Sequence, residues 1–502
     1  MELRTLALPV ALVGSVALAA CAPDTSLNPT GAAAASPMQL AASIQVAADA
    51  GDGGAAGNYL VRFKGNAVPS DFAAKVASIG GEVIFAHSGV GVAAVSGLDD
   101  AGAAQLAART DVQAVDADAY TTLEQPADAT VETAEVTPDS PTAPTAAYFY
   151  AWQWNMRAIS APAAWAAGAL GSSTTRVGIL DTGIDYLHPD LYGRVDLNAS
   201  RSFLSAAENA RVQALYPGAN PIADLNYHGT HVAATVASNG LAAAGVTSKV
   251  TLVGLKVCAP GTAANGYNAT CPTSGTLSAI LYASDIGLDV INMSLGSYFQ
   301  RVQASARGGN GPSFLATINR VINYANRKGT LVVVSAGNSA IDLDHDGNGY
   351  ASYCSAAGVV CVSATGPTAE TTRSGPWANV DALAYYSNYG RSSISVAAPG
   401  GNFSAVWAAC SGFTIYPPLA GCKSRFYNPT TGAWSASVVG LAGTSMAAPH
   451  VTGTAALIAG QVGHNPSQIE ARLQQSADDL GQPGTDPAYG KGRINLAHAA
   501  GL

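Results

Sequence analysis

Charge is scarce in this chain. Lys, Arg, Asp and Glu make up 11% of its 502 residues, under half the ~25% of an ordinary globular protein. The apolar share of 48% is ample for a large core and excludes wholesale disorder. Basic residues are outnumbered, 24 against 33, for a net charge of −9. No electropositive surface is available to neutralise a phosphate backbone, so a nucleic-acid partner is excluded. After the first segment no stretch stays apolar for ~18 residues, so no spanning helix is expected there. Cysteine is sparse too, with seven in all. Cys21 stands apart, while Cys258 and Cys271, Cys354 and Cys361, and Cys410 and Cys422 fall in close pairs. An even, clustered set favours an oxidising compartment over buried free thiols, although the spacing leaves the connectivity open.

What is present divides the chain. Residues 3–20 are nearly all Ala, Leu and Val after Arg4, the layout of a removable secretory signal. They end in Leu18-Ala19-Ala20-Cys21, which resembles a bacterial lipobox and implies acylation of Cys21; plain signal-peptidase cleavage is the alternative. The expected divisions are a signal over 1–21, a flexible Ala/Ser/Gly tether over 22–56, a small domain over 57–125, a Pro- and acid-rich solvated linker over 126–147, and one large domain over 148–502. In the small domain, strand-like runs at 59–63, 82–86, 91–96 and 112–116 alternate with helical patterns at 72–79 and 99–109. This is the β-α-β-β-α-β order of ferredoxin-like folds. In the large domain, short apolar runs at 176–180, 250–257, 290–293, 331–334, 359–362 and 394–397 alternate with helices such as 274–286 and 317–327. Strands without polar alternation are buried on both faces, so the fold class is α/β with a mainly parallel, helix-covered sheet.

Ligands of parallel α/β sheets bind beyond the carboxyl ends of the strands. Asp181 follows the 176–180 run, Ser294-Leu295-Gly296 follows 290–293, and Ser335-Ala336-Gly337-Asn338 follows 331–334. His228-Gly229-Thr230-His231 opens one Ala/Val-rich helix, and Gly443-Thr444-Ser445 opens another. Serine attack on an amide needs a proton acceptor, a carboxylate to fix that acceptor's tautomer, and donors for the developing oxyanion. Asp181, His231, Ser445 and Asn338 supply one of each, with backbone N–H groups at the helix start adding to the last. On this reading His228 is structural. A two-aspartate peptidase is excluded because Asp181-Thr182-Gly183 has no second copy, and the histidines lack the Glu of a His-Glu-x-x-His zinc motif.

Asp181-Thr182-Gly183-Ile184-Asp185, His228-Gly229-Thr230-His231-Val232-Ala233 and Gly443-Thr444-Ser445-Met446-Ala447-Ala448-Pro449-His450 together resemble the three signatures of the subtilisin-like serine proteases, in that family's Asp, His, Ser order. The resemblance runs over about 148–500. It implies a triad of Asp181, His231 and Ser445, an oxyanion donor in Asn338, and substrate-binding walls at Ser294, Leu295, Gly296, Ser335, Ala336 and Gly337. It also implies that residues 57–125 are an inhibitory propeptide that folds the enzyme and caps its cleft, and that no cofactor serves the chemistry.

Asp342, Asp344 and Asp346, with Gly347 after them, open like an EF-hand calcium loop, but Tyr353 stands where the closing Glu belongs. Asp190 matches a calcium ligand of many family members, yet the apolar segment 238–245 is short for that site. Inserts at 297–315 and 402–438 are expected to edge the substrate channel. No acid lies in the 294–296 or 335–338 walls, so an apolar or broad preference is expected beside the scissile bond. The function expected is a secreted serine endopeptidase, monomeric, acting on protein or peptide substrates and made as a self-processing zymogen. Its precursor would be anchored in the membrane through Cys21. The alternative is a catalytically silent surface protein that binds peptides in the same cleft.

Overall fold

The computed structural model describes residues 57–123, 129–137, 143–300, 311–345, 349–424 and 427–502. Cys21, the signal, the tether and Asp346 lie outside the described residues. Near the amino end, β1 (Tyr59–Phe63), α1 (Phe72–Ser78), β2 (Glu82–His87), β3 (Val92–Ser96), α2 (Asp100–Ala107) and β4 (Val112–Ala117) follow the predicted order. The four strands form an antiparallel sheet in the order β2-β3-β1-β4. Phe63, Phe72, Val76 and Leu106 fill the space between sheet and helices.

Two further strands, β5 (Tyr120–Leu123) and β6 (Thr130–Val136), leave this unit and join the larger one. The second is a correction. A solvated linker is predicted over 126–147, but 130–136 is a strand in seven-residue register with the edge of another sheet. Ala134 and Val136 are buried between exposed Thr133 and Glu135, while Val131 and Glu132 are half-buried, so the strand shows the alternation of a half-covered strand over its second half.

The large unit is built on a seven-stranded sheet that includes β7 (Arg176–Asp181), β8 (Arg201–Ser202), β9 (Thr251–Lys256), β11 (Val290–Met293), β13 (Leu331–Ser335), β15 (Val359–Thr365) and β16 (Val396–Pro399). The spatial order is β16-β15-β13-β11-β7-β9-β8, and every pair is parallel. Burial of both faces explains the unbroken apolar runs. Among the helices, α3 (His228–Val236), α4 (Thr273–Asp285), α5 (Pro312–Lys328) and α6 (Thr444–Val462) matter most for the site. Leu277 and Ile280 of α4 pack with Phe314, Ile318 and Val321 of α5 in one core. Val451, Ala455 and Ile458 of α6 lie in another. The helix α5 starts five residues before the predicted 317: Pro312 sits at its first position, where a missing N–H costs nothing, and Gly329 closes it in the left-handed region. The insert predicted over 297–315 is therefore shortened. Its first part is β12 (Tyr298–Gln300), paired with β14 (Gly349–Ala351).

The other insert, over 402–438, is built of strands. It supplies β17 (Val406–Ala409) and the start of β18 (Ala433–Leu441), which pair antiparallel, and β6 pairs along β18. Between them the backbone N–H of Gly412 donates to Asp185, and Phe413 packs against Tyr186 and Tyr216. The six clustered cysteines form the three local bridges, Cys258–Cys271, Cys354–Cys361 and Cys410–Cys422.

Candidate active site

Parallel register brings the candidate residues together. Leu180 pairs with Met293, and Met293 with Val334, so Asp181, Ser294 and Ser335 follow in one row at the carboxyl edge of three neighbouring strands, about 4.8 Å apart from strand to strand. Two glycines let α3 and the segment 222–224 ahead of it approach that row. A Cβ on Gly229 would stand 2.2 Å from the Gly183 carbonyl oxygen and 3.0 Å from Asp181 Cβ, and one on Gly183, at φ +121°, would stand 2.3 Å from the Ile222 oxygen. Only side-chain-free residues allow so close an approach.

The docking decides which histidine meets the carboxylate. His228, the first residue of α3, places Nδ1 2.8 Å from Asp181 Oδ1, and Thr182 N–H donates to the same oxygen at 2.7 Å. His231 lies one turn further on, with its Nε2 3.0 Å from the Val406 carbonyl oxygen of β17. The expected Asp181–His231 pair is therefore corrected to Asp181–His228. The cause is helical geometry: residues three apart project ~60° from one another, and the first residue overhangs the strand end while the fourth faces the β17–β18 hairpin. Burial pulls the His231 pKa down to about 3, with the Val406 carbonyl working weakly against that, so this imidazole is neutral and structural. His228 Nε2 has no hydrogen-bond partner among the described residues.

Asp224 was not singled out from the sequence, yet it clamps the motif from below. One of its carboxylate oxygens accepts from Thr182 Oγ1 at 2.9 Å and Asn226 N–H at 3.0 Å, the other from Thr230 N–H at 2.9 Å and Thr230 Oγ1 at 2.6 Å. Thr182 Oγ1 in turn accepts from Gly229 N–H. Burial raises the Asp224 pKa. The signal that could have found it is a lone acid four residues ahead of His228.

Ser445 is the second residue of α6. Its Oγ donates to the Ser294 carbonyl at 3.2 Å, and Ser294 Oγ donates to the Ser445 carbonyl at 2.8 Å. Asn338 is fixed through its oxygen, which accepts from Thr444 N–H at 2.9 Å and Thr444 Oγ1 at 2.7 Å. Gly443 then exposes a shared spot. A Cβ built on it would lie 3.5 Å from Asn338 Nδ2 and 3.6 Å from Ser445 N, with no closer atom outside its neighbours. A side-chain nitrogen and a backbone nitrogen thus lie about equally far from one position beside the Ser445 backbone, with Met446 Sδ at 3.8 Å.

Of the other wall residues, Leu295 and Ala336 are buried, and Gly337 N–H donates to Thr444 Oγ1 at 3.1 Å. The extended segment β5 meets Ser297, one residue past the predicted wall: Ser297 Oγ lies 3.2 Å from the Tyr120 carbonyl and 3.0 Å from Thr121 Oγ1. Its strand partner is β10 (Ala269–Pro272), with Tyr120 opposite Pro272 and Leu123 opposite Ala269. Asp118, just ahead of β5, accepts from Ser274 N–H at 3.0 Å and Ser274 Oγ at 2.5 Å at the start of α4. Burial raises its pKa to about 6.

The calcium candidates divide. Asp190 does not fit as a ligand. One carboxylate oxygen accepts from the N–H groups of Leu241 and Ala242, the other from Ala243, at 2.8–3.0 Å, so the loop folds directly onto the carboxylate. Asp342 accepts from Asp344 N–H and His345 Nδ1, and Asp344 from Ser392 and Ser393. No group of three or more metal-ligating side chains is gathered among the described residues.

Residues 172–492 match the model of the peptidase S8, or subtilase, family. The chain belongs to the subtilase family. Among its relatives, this subtilase is 32% identical to a thermophilic serine proteinase of Bacillus sp. (strain AK1), over 71% of this chain and 69% of that one. It is 29% identical to thermitase of Thermoactinomyces vulgaris, over 71% and 98%. Its enzyme class is accordingly that of the subtilisin-like serine proteases. In fold the subtilase is similar to the epidermin leader peptide processing serine protease of Staphylococcus aureus, with a TM-score of 0.63 and 21% identity, covering 88% of this chain and 97% of that one. It is also similar to fervidolysin of Fervidobacterium pennivorans, at 0.60 and 21%, covering 92% and 63%.

Proposed function

We propose that this subtilase is an endopeptidase whose proton acceptor is His228. In the reading, His228 Nε2 takes the Ser445 hydroxyl proton as Oγ bonds to the substrate carbonyl carbon, and Asp181 holds the ring through Nδ1. Negative charge on the carbonyl oxygen is met by Asn338 Nδ2 and Ser445 N–H. The C–N bond breaks as His228 passes its proton to the leaving amine, and water releases the acyl group by the same steps in reverse order of roles. For the first step the Ser445 hydroxyl must turn from the Ser294 carbonyl towards the imidazole. The observation that carries the reading is the Asp181–His228 hydrogen bond, taken with a serine whose own N–H and Asn338 Nδ2 lie near one position.

The chain is proposed as a self-processing zymogen. Residues 57–125 inhibit it, with β5 lying along β10 as a substrate would, and the cut falls between Glu124 and Tyr150. Residues 1–21 direct export, and acylation of Cys21 anchors the precursor, so that maturation frees the enzyme from the membrane. The substrates are proteins or peptides with apolar residues before the scissile bond. Calcium on Asp342, Asp344 and Asp346 is a structural proposal; an unchanged Tm in excess chelator leaves that segment a hydrogen-bonded turn. Wild-type precursor is expected to shorten itself and digest casein, whereas Ser445→Ala stays full length. A wild-type chain that remains intact and leaves casein untouched supports the silent peptide-binding alternative. Labelled palmitate incorporated equally by Cys21→Ala rejects the anchor.

A further inference from the structure

The chain's own strands β5 and β6 lie on segments that lead to the two sides of Ser445 in sequence. On the near side, β5 pairs with β10 and contacts Ser297, three residues from the Ser294 carbonyl that holds Ser445 Oγ. On the far side, β6 pairs with β18 from Thr130 opposite Gly440 to Val136 opposite Trp434, and Gly440 is five residues before Ser445. In chain order, β5 is thus paired on the Ser297 side and β6 along the strand that leads into Ser445. The six residues joining Leu123 to Thr130 reach at most ~25 Å.

β6 is seated firmly. Ala134 and Val136 bury in a cluster with Phe149, Ala242, Trp407 and Val438. Thr133 Oγ1 and Ser437 Oγ share a hydrogen bond of 2.7 Å. Glu132 pairs with Arg373, whose guanidinium stacks 5.2 Å from the ring centres of both Trp152 and Trp407. Cutting the chain ahead of Thr130 removes none of these contacts.

We infer that β6 stays on β18 after the first cut and occupies the edge that substrate residues beyond the scissile bond would use, making it a specificity-determining segment of the matured enzyme. The inference rests on the peptidase reading above. Its consequence is a preference: a substrate with little beyond the scissile bond escapes the competition, while a long polypeptide must forgo strand pairing there or displace β6. Forgoing one or two ladder hydrogen bonds in the transition state is about a tenfold effect.

The test uses full-length precursor allowed to mature, wild type beside Ala134→Asp and Val136→Asp, each of which places a charge under β6. Two substrates share one acyl sequence: a peptide p-nitroanilide, and a quenched fluorogenic peptide extended by four residues past the bond. In wild type the mature N-terminus is expected at or before Thr130. In the variants kcat/KM for the extended peptide is expected to rise about tenfold while the anilide rate holds. An unchanged ratio in folded variants overturns the inference, as does a wild-type mature chain that starts beyond Val136. If both variants are inactive on both substrates, the milder pair Glu132→Ala and Thr133→Val, combined, must move the ratio in the same direction; no movement overturns the inference. A wild-type enzyme that fails on the anilide sinks the peptidase reading itself, a result distinct from the others.

Discussion

Exchanging the roles of two histidines separated by one helical turn is the most direct test of the site. His228→Ala removes the imidazole that Asp181 holds. In subtilisin, loss of the corresponding base costs about 10⁶ in kcat, or about 8 kcal/mol of barrier. The structural cost is smaller, because Asp181 keeps its bond from Thr182 N–H; about 2 kcal/mol for one hydrogen bond to a charged group is expected. His231→Gln does the reverse. It removes a fully buried ring whose Nε2 meets the Val406 carbonyl, and packing loss with an imperfectly replaced bond amounts to about 2–3 kcal/mol of stability. Its kcat should stay within about tenfold of wild type, since no displaced atom touches Ser445. Both precursors are matured by a trace of wild-type enzyme that is then removed. Anilide hydrolysis at pH 8 and thermal unfolding are read on the same samples. His228 is not the base if folded His231→Gln loses as much rate as His228→Ala, or if His228→Ala keeps more than about one part in a hundred of the wild-type kcat.

Three further outcomes follow from particular contacts. Gly443→Ala, whose φ of 163° is ordinary extended backbone, places a methyl beside Asn338 Nδ2 and Ser445 N; kcat should fall about 10²–10³-fold with Tm nearly constant, and a rate near wild type removes that space from the mechanism. Acid should weaken the protein, because burial holds His231 near pKa 3 and His450 near 4, and these two outweigh the opposite pull of Asp118, raised to about 6. Below the unfolded value of ~6.5 the unfolded chain binds protons the native one refuses, so stability falls by about 1.4 kcal/mol per pH unit for each histidine as pH drops. Urea titrations at pH 7 and pH 5 measure this, and equal midpoints contradict it. Asp190→Ala strands the N–H groups of 241–243 at about 1–3 kcal/mol for each that stays dry, whereas chelator should leave this loop's contribution to wild-type Tm unchanged; a chelator-induced drop abolished by Asp190→Ala reverses the assignment.

The fold was legible because parallel strands buried on both faces write themselves as short apolar runs, and strand ends such as Asp181 and Ser335 carry the polar residues. The disulfides were legible as pairs of neighbours but not as bonds, since spacing does not say which sulfur atoms face each other. The choice between His228 and His231 was not legible. Both stand in one signature, and only the docking angle of α3, set by Gly183 and Gly229 against Asp181, decides which ring overhangs the strand edge. Strand β6 was hidden for another reason. Thr130-Val131-Glu132-Thr133-Ala134-Glu135-Val136 has the composition of a solvated segment, and its partner lies some three hundred residues later.

The bridge between Cys258 and Cys271 joins two parts of the machinery. On one side, the N–H groups of Val257 and Cys258 donate to the Asp181 carbonyl; on the other, Cys271 sits in β10, opposite Thr121. A single covalent staple therefore ties the acid's backbone to the bench on which a polypeptide is laid out. In a thiol-rich compartment, where such bonds do not persist, the bench is unfastened, so cutting power should lag until the bridge forms. Mature protein held in dithiothreitol should show a raised KM that falls again on reoxidation; an unaltered KM would detach redox chemistry from readiness.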